Sequence, residues 1–298
     1  MKLMPPMIRI AVASGKGGTG KTFFATNFYY ALFNNNYSTI LVDCDAEAPN
    51  VSAFFQAIPR KKTEVTQMVP AINTGTCTFC GKCHDYCNYN AIFVLPPMKI
   101  IQVMEDLCHG CGACSAACKY NAISEKSVSL GQVTTYGNNS DRTFIEARIN
   151  IGVMSPVPVI KAAIKEIGNN ADVVVLDSPP GTSCPFIQTV SAADYVILVT
   201  EPTPFGLSDL KQSVETLKSI DKPFGVIINR AGIGNNKVQK YLWDESIPLL
   251  LEIPFKKDIA GLYSKGKLVA ETDPFFEKQI LEVFVTILAQ NGTSHYQR

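Results

Sequence analysis

Two short stretches constrain this chain more than anything else in it. Cys77-x2-Cys80-x2-Cys83-x3-Cys87 and Cys108-x2-Cys111-x2-Cys114-x3-Cys118 put eight of the ten cysteines into two copies of one spacing. Three thiolates this close in sequence wrap three corners of an iron–sulfur cube from one loop, and the fourth corner needs a ligand from elsewhere. The spacing therefore predicts two [4Fe–4S] clusters with crossed ligation. Cys77, Cys80, Cys83 and Cys118 would hold one, and Cys108, Cys111, Cys114 and Cys87 the other. Zinc also takes four thiolates, but its sites usually separate two Cys-x2-Cys pairs by a longer stretch. His84 and His109 lie inside the runs and are expected to remain outside a ligand set that already has eight thiolates. The repeat continues past the cysteines, since Cys87-Asn-Tyr-Asn-Ala-Ile92 is echoed by Cys118-Lys-Tyr-Asn-Ala-Ile123. Proline often follows the fourth cysteine of such runs; Asn88 and Lys119 stand there instead, which bears on local rigidity rather than on ligation.

Duplicated halves closing on two clusters make a ferredoxin-like unit, expected over residues 61–137. The flanking chain reads differently. Ile8–Ser14 is a β-branched run, Lys21–Asn34 a helix and Ser38–Asp43 a second strand, so this part is one right-handed βαβ unit. Asp172–Leu176, Tyr195–Thr200, Phe224–Asn229 and Leu249–Ile253 are continuous apolar runs, as in a parallel sheet covered on both faces. Helices are expected at Val159–Ile167, Ser208–Ile220, Asn236–Trp243 and Phe275–Ala289, the last packing on the sheet rather than on a membrane. The fold class is α/β: residues 1–60 and 138–298 form a mostly parallel sheet with helices on both faces, interrupted by the small α+β unit.

A net charge of +1 gives no field for nucleic acid or an anionic membrane. No run of 18 apolar residues predicts a membrane span. Met1–Pro6 is too short and proline-rich for a signal peptide, and clustered cysteines oppose a secreted disulfide scaffold. A reducing cytoplasm is the expected setting.

Between the first strand and the first helix lies Gly15-Lys16-Gly17-Gly18-Thr19-Gly20-Lys21-Thr22, which fits G-x-x-x-x-G-K-[ST]. Glycines let successive N–H groups turn toward phosphate oxygens, and the helix N-terminus adds positive potential. Lys21 would meet the β- and γ-phosphates, and the Thr22 hydroxyl would ligate Mg²⁺.

The second lysine, Lys16, makes this loop resemble the deviant Walker A of the MinD/ParA/nitrogenase-iron-protein class of P-loop ATPases. In that class this lysine reaches across a dimer to the partner's nucleotide, so the resemblance implies a nucleotide-dependent homodimer. Asp43-Cys-Asp45-Ala-Glu-Ala-Pro-Asn50 resembles switch I, where the second aspartate orients the attacking water. Asp177-Ser-Pro-Pro-Gly181-Thr resembles Walker B and switch II, which implies that Asp177, with Asp45 and Thr22, serves the Mg²⁺ shell and that Gly181 follows the γ-phosphate. Thr200-Glu-Pro-Thr-Pro204 and Ile253-Pro-Phe-Lys-Lys-Asp258 also look familiar, and Asn229-Arg230 resembles the position contacting adenine. Lys16, Lys21, Asp45 and Asp177 are thus the implied catalytic set. Related Mrp-type proteins carry iron–sulfur clusters on differently arranged ligands. Cys184 sits where the nitrogenase iron protein has a cluster ligand, but it lacks a partner cysteine and is expected to be a packed thiol, like Cys44.

Three functions are compatible with this combination. The first is an ATPase, slow without its partner, that couples nucleotide state to electron transfer through two clusters toward an unidentified redox protein. The second is an iron–sulfur or metal-cofactor assembly or carrier ATPase. The third, a MinD- or ParA-type positioning ATPase, lacks a basic amphipathic tail or a DNA-binding charge pattern.

Overall fold

The computed structural model describes residues 7–137, 143–169 and 171–294. The signal-peptide reading of Met1–Pro6 and the domain boundary at 138 lie outside the described residues. The strands are β1 (Ile8–Ala13), β2 (Thr39–Asp43), β3 (Ile58–Ile72), β4 (Ile92–Leu95), β5 (Ile100–Val103), β6 (Ile123–Gly137), β7 (Thr143–Ile149), β8 (Val173–Asp177), β9 (Tyr195–Thr200), β10 (Phe224–Ala231) and β11 (Leu249–Pro254). The helices are α1 (Lys21–Asn34), α2 (Lys82–Asp85), α3 (Ala113–Ala117), α4 (Val157–Lys165), α5 (Cys184–Ser191), α6 (Pro204–Ser219), α7 (Lys237–Asp244), α8 (Lys257–Tyr263), α9 (Val269–Thr272) and α10 (Pro274–Ser294).

Nine strands form one sheet in the order β11-β10-β9-β1-β8-β2-β7-β6-β3. The seven from β11 to β7 are parallel, and β6 and β3 extend that edge antiparallel. Val-Val-Val-Leu-Asp of β8 and Tyr-Val-Ile-Leu-Val-Thr of β9 are buried throughout, as expected where helices cover both faces. On one face α4 to α7 contribute Ile160, Phe186, Val214 and Leu242. On the other, α1 and α10 close over the sheet with Phe24, Phe28, Ile280 and Phe284. That seats α10 on the sheet as expected. No described helix is long and apolar enough to cross a membrane.

The antiparallel edge departs from the sequence reading. The boundary expected at 61 falls inside β3, which makes fourteen residue pairs with β6 from Ile58↔Gly137 to Ile72↔Ile123, passing over Arg60 and Leu130. Arg60, Lys61, Lys62 and two prolines made this segment look unlike a strand. Both features suit an edge, where the outward N–H has no partner to lose and charge deters further pairing. Only the inner halves of β3 and β6 belong to the sheet proper, because β7 stops at Ile149 opposite Gly131. At that point the register slips: Val65 faces Gly131, Thr66 faces Ser129, and Leu130 bulges. Beyond the bulge about seven residue pairs project as a two-stranded arm, roughly 20 Å long at 3.3 Å per residue.

The arm carries the cysteine segment. Its end pairing, Ile72↔Ile123, is repeated in the β4–β5 ladder as Ile92↔Val103. The two pairings are related by the same 31-residue offset that relates the cysteine runs. The offset also pairs backbone specials, Gly81 (φ 80°) with Gly112 (φ 72°) and Asn90 (φ 53°) with Asn121 (φ 52°). Asparagine tolerates the left-handed region, which explains its presence at both places. The segment thus has pseudo-twofold symmetry around a small core of Cys83, Cys114 and Ile92.

Candidate functional site

The loop 14–20 leaves β1 and feeds α1 at the C-terminal edge of the sheet, the usual ligand-binding edge of such folds. Gly18 (φ 78°) and Gly20 (φ 100°) occupy conformations that side chains resist. A Cβ on Gly20 would also collide with Asn229 Nδ2, and one on Gly15 with the Asp209 carbonyl. A cleft of about 400 Å³ opens beside the loop. Gly17, Gly18, Gly20, Lys21, Thr22, Asp45, Asn229 and Arg230 line it, with Phe255, Ile259 and Tyr263 from the segment around α8 forming an apolar wall. The sequence reading singled out the first group; of the apolar wall it quoted Phe255 without a role and missed Ile259 and Tyr263.

Lys21 is 6% exposed, and burial lowers its pKa while Asp177 and Asp45 oppose that shift. Asp177 is 1% exposed at the end of β8, and both its carboxylate oxygens are buried without a hydrogen-bond partner among the described residues. Burial pushes its pKa up to about 7, against the pull of Thr22 and Lys21 and with help from Asp45. Two orphaned oxygens beside a threonine hydroxyl and a second carboxylate suit a divalent cation, which would supply the missing partners. The raised pKa means that the folded chain without cation holds a proton that the unfolded chain releases above pH 4. Asp177 therefore costs stability progressively as pH rises from about 4 to about 7. Asp177→Asn is expected to raise the melting temperature of the nucleotide-free protein at pH 8 by on the order of 5 °C, and to abolish further stabilisation by Mg²⁺-ATP. Thermal melts at pH 5 and pH 8 check this; equal shifts at both would contradict it.

Asp43 shapes the segment behind Asp45. Its carboxylate accepts from the backbone N–H of Asp45 (3.1 Å), Asn50 (2.8 Å) and Val51 (2.9 Å). Burial and the Asp177 charge raise its pKa, and the N–H groups of Val51 and Asn50 counter that. Ala46, next in that segment, accepts from Ile149 N–H at 3.0 Å. Gly181 (φ 93°) donates its N–H to the Ser14 carbonyl at 3.1 Å, tying the segment after β8 to the phosphate loop.

Two residues given roles by the resemblance have protein partners in place. Asn229, read as an adenine contact, has both ends of its amide engaged by protein: Nδ2 donates to the Thr19 carbonyl (2.8 Å) and Oδ1 accepts from Arg230 N–H (2.9 Å). It braces the back of the loop, and its proximity to Gly20 explains why that position lacks a side chain. Lys16, expected to reach a nucleotide, is ion-paired within its own chain to Glu201 at 3.5 Å. Glu201 also pairs with Arg230. The sequence reading quoted Glu201 without a role; its signal was an acidic residue directly after the fully buried β9.

The eight repeated cysteines surround two small cavities of about 20 Å³ each, carried by the arm. Cys77, Cys80, Cys83 and Cys118 line the first; Cys108, Cys111, Cys114 and Cys87 line the second. Backbone N–H groups point at sulfur: Phe79 to Cys77 (3.4 Å), Gly110 to Cys108 (3.4 Å) and Ala91 to Cys87 (3.3 Å). A backbone hydrogen bond from Lys82 lowers the pKa of Cys80, while burial raises those of Cys83 and Cys114. Among the described residues no three His, Cys, Asp or Glu gather closely enough for a single metal ion. His84 Nδ1 meets the Ile92 carbonyl at 2.7 Å, and His109 stacks on Tyr89 at 3.8 Å. The second cavity is the one nearer the body, since Cys108 and His109 share a groove with Val153, Met154 and Pro158. Cys44 is fully buried, whereas Cys184, expected to be packed, is exposed at the start of α5.

A glycine-rich loop between the central strand and its helix, with buried lysine and aspartate at the sheet edge, defines a P-loop nucleotide-binding fold. The chain belongs to the CobQ/CobB/MinD/ParA nucleotide binding domain family, whose model matches residues 10–269. A protein of Methanocaldococcus jannaschii described as uncharacterized is 32% identical over 89% of this chain and 92% of its own length. An iron-sulfur cluster carrier protein of Aquifex aeolicus is 23% identical over 93% of this chain, which spans 65% of that protein. Among solved structures, the cell division ATPase MinD of Pyrococcus furiosus aligns with a TM-score of 0.56 at 19% identity, covering 94% of this chain and 99% of that one. The septum site-determining protein MinD of Pyrococcus horikoshii, complexed with Mg-ADP, aligns with a TM-score of 0.54 at 19% identity, covering 93% and 94%. At these identities the MinD likeness is one of fold.

Proposed function

We propose that this chain is an ATP-binding and ATP-hydrolysing iron–sulfur protein in which nucleotide state controls electron transfer through two [4Fe–4S] clusters. In this reading residues 61–137 form a ferredoxin-like unit inserted into the ATPase, and the working form is a nucleotide-dependent homodimer serving a protein redox partner. The donor set supports the clusters: two cavities, each lined by four cysteines drawn three and one from the two runs, with N–H groups aimed at sulfur. Such centres supply reversible one-electron chemistry. Lys21 would hold the phosphates, Thr22 and Asp177 the Mg²⁺, and Asp45 the attacking water.

One observation carries the coupling. Ala46, directly after Asp45, bonds Ile149, and Ile149 pairs with Gly131 at the foot of the arm. The next residue, Asn150, caps the carbonyl of the bulged Leu130 at 2.9 Å. A segment that answers to nucleotide is thus hydrogen-bonded to the root of the structure that presents the cysteines. Differential binding of about 2.3 kcal/mol moves a one-electron potential by roughly 100 mV. Anaerobic protein is expected to show cluster potentials shifted on that scale by Mg²⁺-ATP. Identical potentials, with no ATP-dependent electron delivery to any acceptor, would overturn the reading.

The relatives named iron-sulfur cluster carrier proteins favour one alternative, an ATPase that hands clusters on. Clusters that move intact to an apo-protein would establish it, and clusters that survive a chelator would oppose it.

A further inference from the structure

Glu201 stands immediately after β9, 7% exposed, and its carboxylate engages two cations from different parts of the sheet edge. Lys16 Nζ lies 3.5 Å from Oε2, and Arg230 Nη1 is ion-paired with Oε1. Lys16 belongs to the phosphate loop and Arg230 lines the nucleotide cleft. A nearly buried carboxylate is tolerated only with such partners. The two cations differ in how firmly they are held. Arg230 is fixed from behind, its N–H bonded to Asn229 and its backbone left-handed (φ 56°). Lys16 comes on a flexible stem with its side chain 31% exposed, at a longer distance. A polyphosphate entering the cleft brings several negative charges to the same cations and competes with the single charge of Glu201.

We propose that Glu201 is a stand-in for phosphate, holding Lys16 in place until a nucleotide draws it away. Arg230 stays with Glu201 and keeps it in position. Nucleotide that recruits Lys16 must first break the Lys16–Glu201 pair, so Glu201 sets nucleotide affinity from outside the cleft. It is a positioning residue, acting through Lys16. The proposal rests on the cleft being a nucleotide site. The recruiting phosphate chain lies either in the same cleft or in that of a second copy. The two are distinguished by whether the effect depends on protein concentration.

The test is fluorescent-ATP titration of the full chain, with Glu201→Gln against wild type. The variant removes the charge and keeps the size. Losing an ion pair of this exposure is expected to tighten ATP binding roughly three- to tenfold. In a Lys16→Gln background the same substitution is expected to change affinity less than twofold, because no lysine remains to release. Glu201→Asp, which keeps the charge, is expected to stay near wild type. Unchanged affinity in Glu201→Gln, or a gain that persists undiminished in the Lys16→Gln background, would overturn the proposal. So would loss of binding in Glu201→Gln that Glu201→Asp does not share. Wild-type protein that binds no nucleotide would instead remove the reading beneath it.

Discussion

Replacing Lys21 with methionine is expected to lower ATP turnover at least about a hundredfold while the chain stays folded. Methionine keeps most of the buried apolar stem, so packing is largely preserved. The ammonium is what disappears, and it sits at the mouth of α1 facing Asp177 and Asp45. Without it a nucleotide's phosphates meet carboxylates with no intervening charge. A preorganised charge at a reacting phosphate is worth about 10²–10³ in rate. Phosphate release at saturating Mg²⁺-ATP measures the turnover, and a thermal melt verifies folding. Turnover within threefold of wild type would show that Lys21 does not serve the phosphates.

The cysteine cavities make a second prediction with an all-or-none readout. Cys87→Ser is expected to lower iron from about eight to about four atoms per chain. Although Cys87 follows Cys83 in sequence, the cluster lost is the one held by Cys108, Cys111 and Cys114, because Cys87 lines their cavity. Adding Cys108→Ser to that variant is expected to remove no further iron, whereas adding Cys77→Ser removes the rest. Iron and sulfide counts on anaerobically purified protein decide it. The opposite pattern, with Cys77→Ser adding nothing, would mean that each run closes on its own cluster.

Much of the body was legible because burial on both faces leaves an unbroken apolar run. Tyr195–Thr200 was delimited by sequence to the residue, and β8 and β10 to within two. The phosphate loop was legible because its glycines answer a backbone requirement that few other residues meet. β7 escaped notice because Glu146 and Arg148 interrupt its apolar pattern. Glu146 is nevertheless 2% exposed, and its Oε1 lies 3.0 Å from Arg148. Only tertiary structure reveals that a charged pair can sit in a strand in this way. β3 and β6 were hidden for a related reason, since each draws its strand character from the other across the length of the cysteine segment. Glu201 was invisible as a function because its meaning lies in two cations, one 185 residues before it and one 29 after it.

The bulge at Leu130 gives the arm a gear ratio. Residues at its foot sit within one hydrogen bond of Ala46, while Cys77, Cys80, Cys83 and Cys118 line the cavity at Ile72 and Ile123, at the far end of roughly 20 Å of paired strand. A rotation of about 10° at the foot sweeps the tip through roughly 3–4 Å over that length. Displacements too small to matter inside a close-packed core become whole atomic diameters at that outer cavity, and lengthening or shortening the arm by two residue pairs would retune that amplification.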